Sequence, residues 1–163
     1  MKKERFSEMN LIGKVFLPNQ MDNQKSFGQQ VQETENDPIF KKFLDKNDLT
    51  NQRASLVVFA PDTFMFWYGA ATDKKIKQLP KQLNHFELPA SEVAEVETDG
   101  MNLAFFSQPL NFVIPTFLDK LAQAKVVFHE NPGDSKKPYL LTTLNLSNKK
   151  LEQILYLDSS LQK

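Results

Sequence analysis

The chain has 163 residues, 40% hydrophobic and 25% charged, with 14 Phe and a formal net charge of zero. This composition supports one ordinary domain with a real core and excludes wholesale disorder. Cys is absent, which excludes disulfides, thiolate nucleophiles and Cys-ligated metal clusters.

The charge balance argues against nucleic acid as a direct partner, because tight phosphate binding needs a basic surface. Met1–Glu8 is charged with no apolar run after it, so no signal peptide is visible. No apolar stretch reaches the ~18 residues of a membrane span. A cytoplasmic protein without membrane contact is the expectation.

The first element is a strand over Leu11–Leu17, short, β-branched and closed by Pro18-Asn19. Asn19–Asn36 is dominated by Gln, Asn, Glu and Asp with only Met21, Phe27 and Val31 as apolar anchors, and reads as a surface loop with one loosely held helical segment. Asp37-Pro38 opens a helix, with Asp as N-cap and Pro at the first helical position. Ile39, Phe40, Phe43 and Leu44 then form its apolar stripe.

Ala54–Ala60 and Thr63–Ala71, joined through Pro61-Asp62, form a hairpin. In its second strand Phe64, Phe66 and Tyr68 point one way, Met65 and Trp67 the other. Both faces are apolar, so both must be covered. Phe86–Glu97 reads as a third strand region in which Pro89 implies a bulge or an edge. There Ala94 and Val96 alternate with Glu95 and Glu97 as on a half-exposed strand. Asn111–Gln123 is helical in its later part, with Pro115 in the first turn. Tyr139–Leu146 and Leu151–Leu157 close the chain as a second hairpin, although Leu151–Leu161 also admits a helix.

The order strand-helix-strand-strand thus occurs twice, over about 10–72 and 83–158 of a single domain. This describes an α+β fold: an antiparallel sheet with helices on one face and a pseudo-twofold repeat of two β-α-β-β modules.

Phosphate-loop, dinucleotide and nucleophile-elbow signatures are absent. His85 and His129 are far apart without metal-ligand spacing, so neither a metal nor a cofactor is expected. The carboxylates Glu92, Glu95, Glu97 and Asp99 read first as a solvated strand face. Glu92 shares the parity of Phe86, Leu88, Ala94 and Val96 if Pro89 leaves the phase unchanged. The least ordinary feature is the aromatic run Phe64–Tyr68, since aromatic faces bind flat apolar compounds and organic cations. Trp67 and Tyr68 carry polar handles suited to a pocket, and Tyr139 could face the same space.

Three stretches in this order resemble the GyrI-like small-molecule-binding family, the effector-binding domains of multidrug-responsive regulators. They are the aromatic strand Phe64–Ala71 ending near Gly69, the Pro-containing strand Phe86–Gly100, and the closing hairpin Tyr139–Leu146 with Leu151–Asp158. The resemblance implies a ligand cleft between two modules, opposite the helices, taking bulky hydrophobic and often cationic compounds. Many members carry a fifth-strand Glu that neutralises the ligand. The corresponding Tyr139-Leu140-Leu141-Thr142-Thr143-Leu144 has no acid, which tilts the expectation toward a neutral, apolar ligand. About ten residues precede the first strand, too few for a helix-turn-helix, so a stand-alone module is expected.

The expected function is therefore binding of a small hydrophobic molecule by Phe64, Phe66, Trp67, Tyr68, Glu92 and Tyr139. Two alternatives stay open: a hydrolase with Glu92 or Glu95 as general base, and a module docking a protein partner through its aromatic face.

Overall fold

A computed structural model describes residues 2–161, with side chains from residue 4 onward. Its strands are β1 (Lys2–Phe6), β2 (Met9–Phe16), β3 (Gln52–Phe59), β4 (Phe64–Thr72), β5 (Asn84–Leu88), β6 (Ser91–Thr98), β7 (Tyr139–Asn145) and β8 (Leu151–Tyr156). They form one antiparallel sheet in the order β1-β6-β8-β7-β3-β4-β2-β5. Helices α1 (Gly28–Asn36), α2 (Pro38–Lys46) and α3 (Leu110–Gln123) pack on one face. The protein is α+β, as its sequence implies. The triplets β2-β4-β3 and β6-β8-β7 fill the two halves of the sheet, with helices between the first and second strand of each.

The ends of this sheet meet. Only Ser7 and Glu8 separate β1 from β2, and only Pro89 and Ala90 separate β5 from β6, yet each pair sits at opposite ends of the strand order. Phe6 lies opposite Ser91 and Met9 opposite Leu88, so one register runs through both joins. The sheet is therefore curled and closed by a long two-stranded ribbon, Lys2–Gly13 against Asn84–Glu95. The stretch Phe86–Glu97 is thus not one interrupted strand. Its halves serve different ends of the sheet, and the phase changes at Pro89. Phe86 and Leu88 face inward, whereas Ala94 and Val96 lie with the helix-side residues. The N-terminal strand β1 escapes sequence reading because Lys2-Lys3-Glu4-Arg5-Phe6 shows a single apolar residue.

Curling brings β2 and β4 into close contact where Gly13 faces Gly69. A Cβ on Gly13 would lie 2.0 Å from the Tyr68 carbonyl oxygen, and one on Gly69 would lie 2.0 Å from that of Ile12. No other residue fits either position.

Asp37 caps α2 as expected: Oδ1 accepts from the Ile39 amide at 2.9 Å while Oδ2 pairs with Lys14. The Lys14 ammonium holds the Asp37 carboxyl below its ordinary range. The amide-rich segment before it is no loose loop. Val31 and Thr34 of α1 are buried, and Phe27 stacks on Phe66 at 4.5 Å. A narrow apolar stripe suffices here because the sheet supplies the rest of the contact. Helix α3 starts before Asn111, which places Pro115 in its second turn. Leu151 onward is a strand as far as Tyr156.

Candidate functional site

The two-residue period of β4 separates the aromatic run into two environments. Phe64, Phe66 and Tyr68 turn to the helices, where Phe66 and Tyr68 are buried in the larger core. Tyr68 Oη donates to Glu35 Oε2 of α1 at 2.6 Å, and Arg53 Nε donates to the same oxygen at 2.7 Å. Burial, then the Glu35 carboxylate, raises the Tyr68 phenol far above its ordinary value, so it stays neutral. Its polar handle ties α1 to the sheet. These three residues do not join Trp67 and Tyr139, because neighbours on a strand cannot share a face.

Trp67 and Tyr139 point to the inner face with Phe86 and Tyr156. Successive ring centroids run Trp67 to Phe86, Phe86 to Tyr139 and Tyr139 to Tyr156, each step 5.6 Å and edge-to-face. This geometry is favourable for aromatic packing. All eight strands contribute to the cluster, from Phe6 of β1 to Ile154 of β8. The expected hollow beside the indole is therefore filled, with Trp67 only 6% exposed. Phe86 fills it from β5, an end strand that pairs with β2 alone, and is itself half-buried. Outside β5 an open groove is lined by Met9, His85, Glu87, Leu88, Pro89 and Tyr139 among others. The ring series thus reaches the surface at Tyr139. Trp67 Nε1 and Tyr156 Oη are buried there without a hydrogen-bond partner.

Glu95 overturns the reading of β6 as half-exposed. It faces inward at 2% exposure, because the curled sheet covers the side that a flat sheet would leave in water. It stands in a row that continues through Ile154, Leu141 and Leu56 to Trp67. Burial first, then hydrogen bonds with Glu4 of β1 and Glu152 of β8, push its carboxyl up to about 9. It therefore keeps its proton at neutral pH. Carboxylate oxygens of Glu95, Glu97 and Glu152 lie within 4.8 Å of one another, a spacing that suits a cation. Lys150 Nζ approaches Glu97 at 3.6 Å.

Glu92, by contrast, is exposed and apart from this group. Sequence reasoning missed Phe86, Tyr156 and Glu152. Alternation in Glu152, Ile154 and Tyr156 placed the last two on one face with the acid, but only the closed sheet reveals that face as interior. Near the C-terminal end of β8, Asp158 accepts from the Lys136 and Ser160 amides and from Ser160 Oγ, and pairs with His129 Nε2 at 2.9 Å. These bonds, the Lys136 amide foremost, hold its carboxyl well below the usual range.

No protein-family model and no curated protein sequence matches the chain. Its fold is similar to that of solved structures. The integron cassette protein VCH_CASS2 from the mobile metagenome of Vibrio cholerae superposes with a TM-score of 0.53 at 11% identity, covering 95% of this chain and 94% of that one. A "Putative bacterial transcription regulation protein" from Staphylococcus aureus MU50 gives 0.50 at 10% identity, over 96% and 97%. SAV2435, solved with tetraphenylphosphonium bound, gives 0.50 at 11% identity, over 95% and 92%. Among the described residues no helix is long and apolar enough to cross a membrane.

Proposed function

We propose that this chain is a GyrI-like binding domain that takes a small apolar cation on the inner face of its sheet. Trp67, Phe86, Tyr139 and Tyr156 would meet the apolar body and Glu95 the charge. The observation that carries this reading is the burial of Glu95 on an otherwise apolar face, beside the exposed Glu4 and Glu97 and the half-buried Glu152. A packing core would avoid such a carboxyl, since a buried carboxylate is costly unless a cation or a proton joins it. Departures of this kind from stable packing are expected at functional sites. The acid missing from Tyr139–Leu144 of β7 is thus supplied from β6, and a cationic ligand takes the place of the neutral one expected. Access requires Phe86, a half-buried ring on an end strand, to swing out toward the groove beside β5. That a protein of the same fold holds tetraphenylphosphonium supports this chemistry.

The test is titration with tetraphenylphosphonium, read through the fluorescence of the sole Trp. Saturable quenching that Glu95→Gln weakens about ten-fold or more supports the reading. No saturable change, in fluorescence or in calorimetry, contradicts it.

A hydrolase at the same place is the second reading, because a carboxyl that keeps its proton beside other carboxylates can form an acid/base pair. Turnover of a hydrophobic ester that Glu95→Gln abolishes is its signature.

A further inference from the structure

Among the described residues, Trp67 Nε1 and Tyr156 Oη are the two side-chain donors buried on the inner face without a partner. Both residues lie deep, at 6% and 2% exposure, away from bulk water. Buried donors are normally paired, and an interior serving only stability would place Phe or Leu there instead. Glu95 does not serve the indole, because Ile154, Leu141 and Leu56 stand between them in the row. The ring neighbours of Trp67 and Tyr156 are Phe86 and Tyr139, at 5.6 Å in edge-to-face geometry, and neither offers them an oxygen or nitrogen acceptor within hydrogen-bond reach.

We propose that the ligand carries neutral hydrogen-bond acceptors, carbonyl, ether or ester oxygens, which Trp67 and Tyr156 recognise separately through their free N–H and O–H. The inference rests on the cation-binding reading of the same face and deepens it, naming an oxygenated apolar cation as the ligand class. The donor set decides the polarity. An indole N–H can only donate, so a donor group on the ligand would leave it unpaired. Burial and the neighbouring Tyr139 raise the Tyr156 phenol, so it too keeps a proton to give. Tyr156 sits one strand from the acid, since its partner Val93 and Glu95 both belong to β6. Charge and acceptor can thus be read on one side of the aromatic series.

The experiment compares three probes by calorimetry: tetraphenylphosphonium, its (4-acetylphenyl) analogue and its (4-isopropylphenyl) analogue. The last two match in size and charge and differ in one carbonyl. The acetyl probe should bind at least about five-fold tighter than the isopropyl probe. Tyr156→Phe should remove most of that preference, read as the ratio of the two analogues' dissociation constants within the variant. The same variant, without ligand, should melt no lower than the parent, because its hydroxyl has no partner to lose. Equal binding of the two analogues, a preference that survives Tyr156→Phe, or a lower melting point in that variant overturns the inference and leaves the cation site standing. Failure of all three cations to bind overturns both.

Discussion

Glu95 and Trp67 stand in one cross-strand row of the inner face, joined through Ile154, Leu141 and Leu56. An ionisable group and an indole therefore close the two ends of an apolar stripe inside a curled sheet. The stability of the free protein and its capacity for a cation consequently oppose one another at Glu95.

Replacement of Glu95 by Gln should stabilise the free protein, and by an amount that depends on pH. The folded-state carboxyl is raised from 4.5 to about 9, so the native state holds a proton that the unfolded chain releases. Stability is full below the unfolded value and declines as pH rises toward the folded one. Gln carries no such dependence. Denaturant melts should show little gain at pH 4 and a gain on the order of 3 kcal/mol at pH 7. A variant less stable than the parent at pH 7 contradicts the assignment.

Tyr68→Phe should lower stability by roughly 1–3 kcal/mol, since it removes the hydroxyl that Glu35 accepts from inside the helix-side core. Cation binding should be unchanged, because Tyr68 belongs to the opposite face from Trp67. Chemical denaturation and ligand titration on one preparation check both halves. A large loss of affinity with intact stability would return Tyr68 to the site.

Gly13→Ala should cost at least about 3 kcal/mol or prevent folding, because the new methyl meets the Tyr68 carbonyl at 2.0 Å, where backbone cannot yield. Gly100→Ala is the informative control. Gly100 has φ +73 with nothing near its Cβ position, so only moderate strain is expected. Equal melting points for the two variants would refute the close β2–β4 approach.

Much of the fold was legible in local chemistry. Asp37-Pro38 announced α2, Pro61-Asp62 the turn between β3 and β4, and the aromatic strand its own two-sided burial. The site was not, for a topological reason. Period two correctly separated Trp67 from Tyr68, yet it could not say which face was enclosed. Glu95 alternates with Ala94 and Val96 like any half-exposed strand residue, and only the ribbon pairing β1β2 with β5β6 turns that outer face inward. The phase change at Pro89 is likewise invisible without the partner strand. The sequence suggests no more of α1 than one loosely held helical segment in a loop, because Phe27, Val31 and Glu35 act through contacts made by Phe66, Arg53 and Tyr68, distant in the chain.

Asp158→Asn should loosen the loop before β7, since the carboxylate gathers the Lys136 and Ser160 amides and His129. The folded carboxyl is depressed below its ordinary 3.8, so its contribution is present above that value and fades as pH falls through the folded one. Melting points of parent and variant should differ at pH 6 and converge in strong acid. A constant gap across that range would exclude the carboxylate as the source.

The most direct measurement is the dissociation constant of tetraphenylphosphonium across pH 6 to 9, in the parent and in Glu95→Gln. If the cation replaces the proton on Glu95, affinity should rise with pH, by up to about ten-fold per unit, and level off near the carboxyl's folded value of about 9. The Gln variant should bind weakly and show no such slope. Affinity that is flat with pH in the parent, or equal in the two proteins, would contradict a cation site built on Glu95.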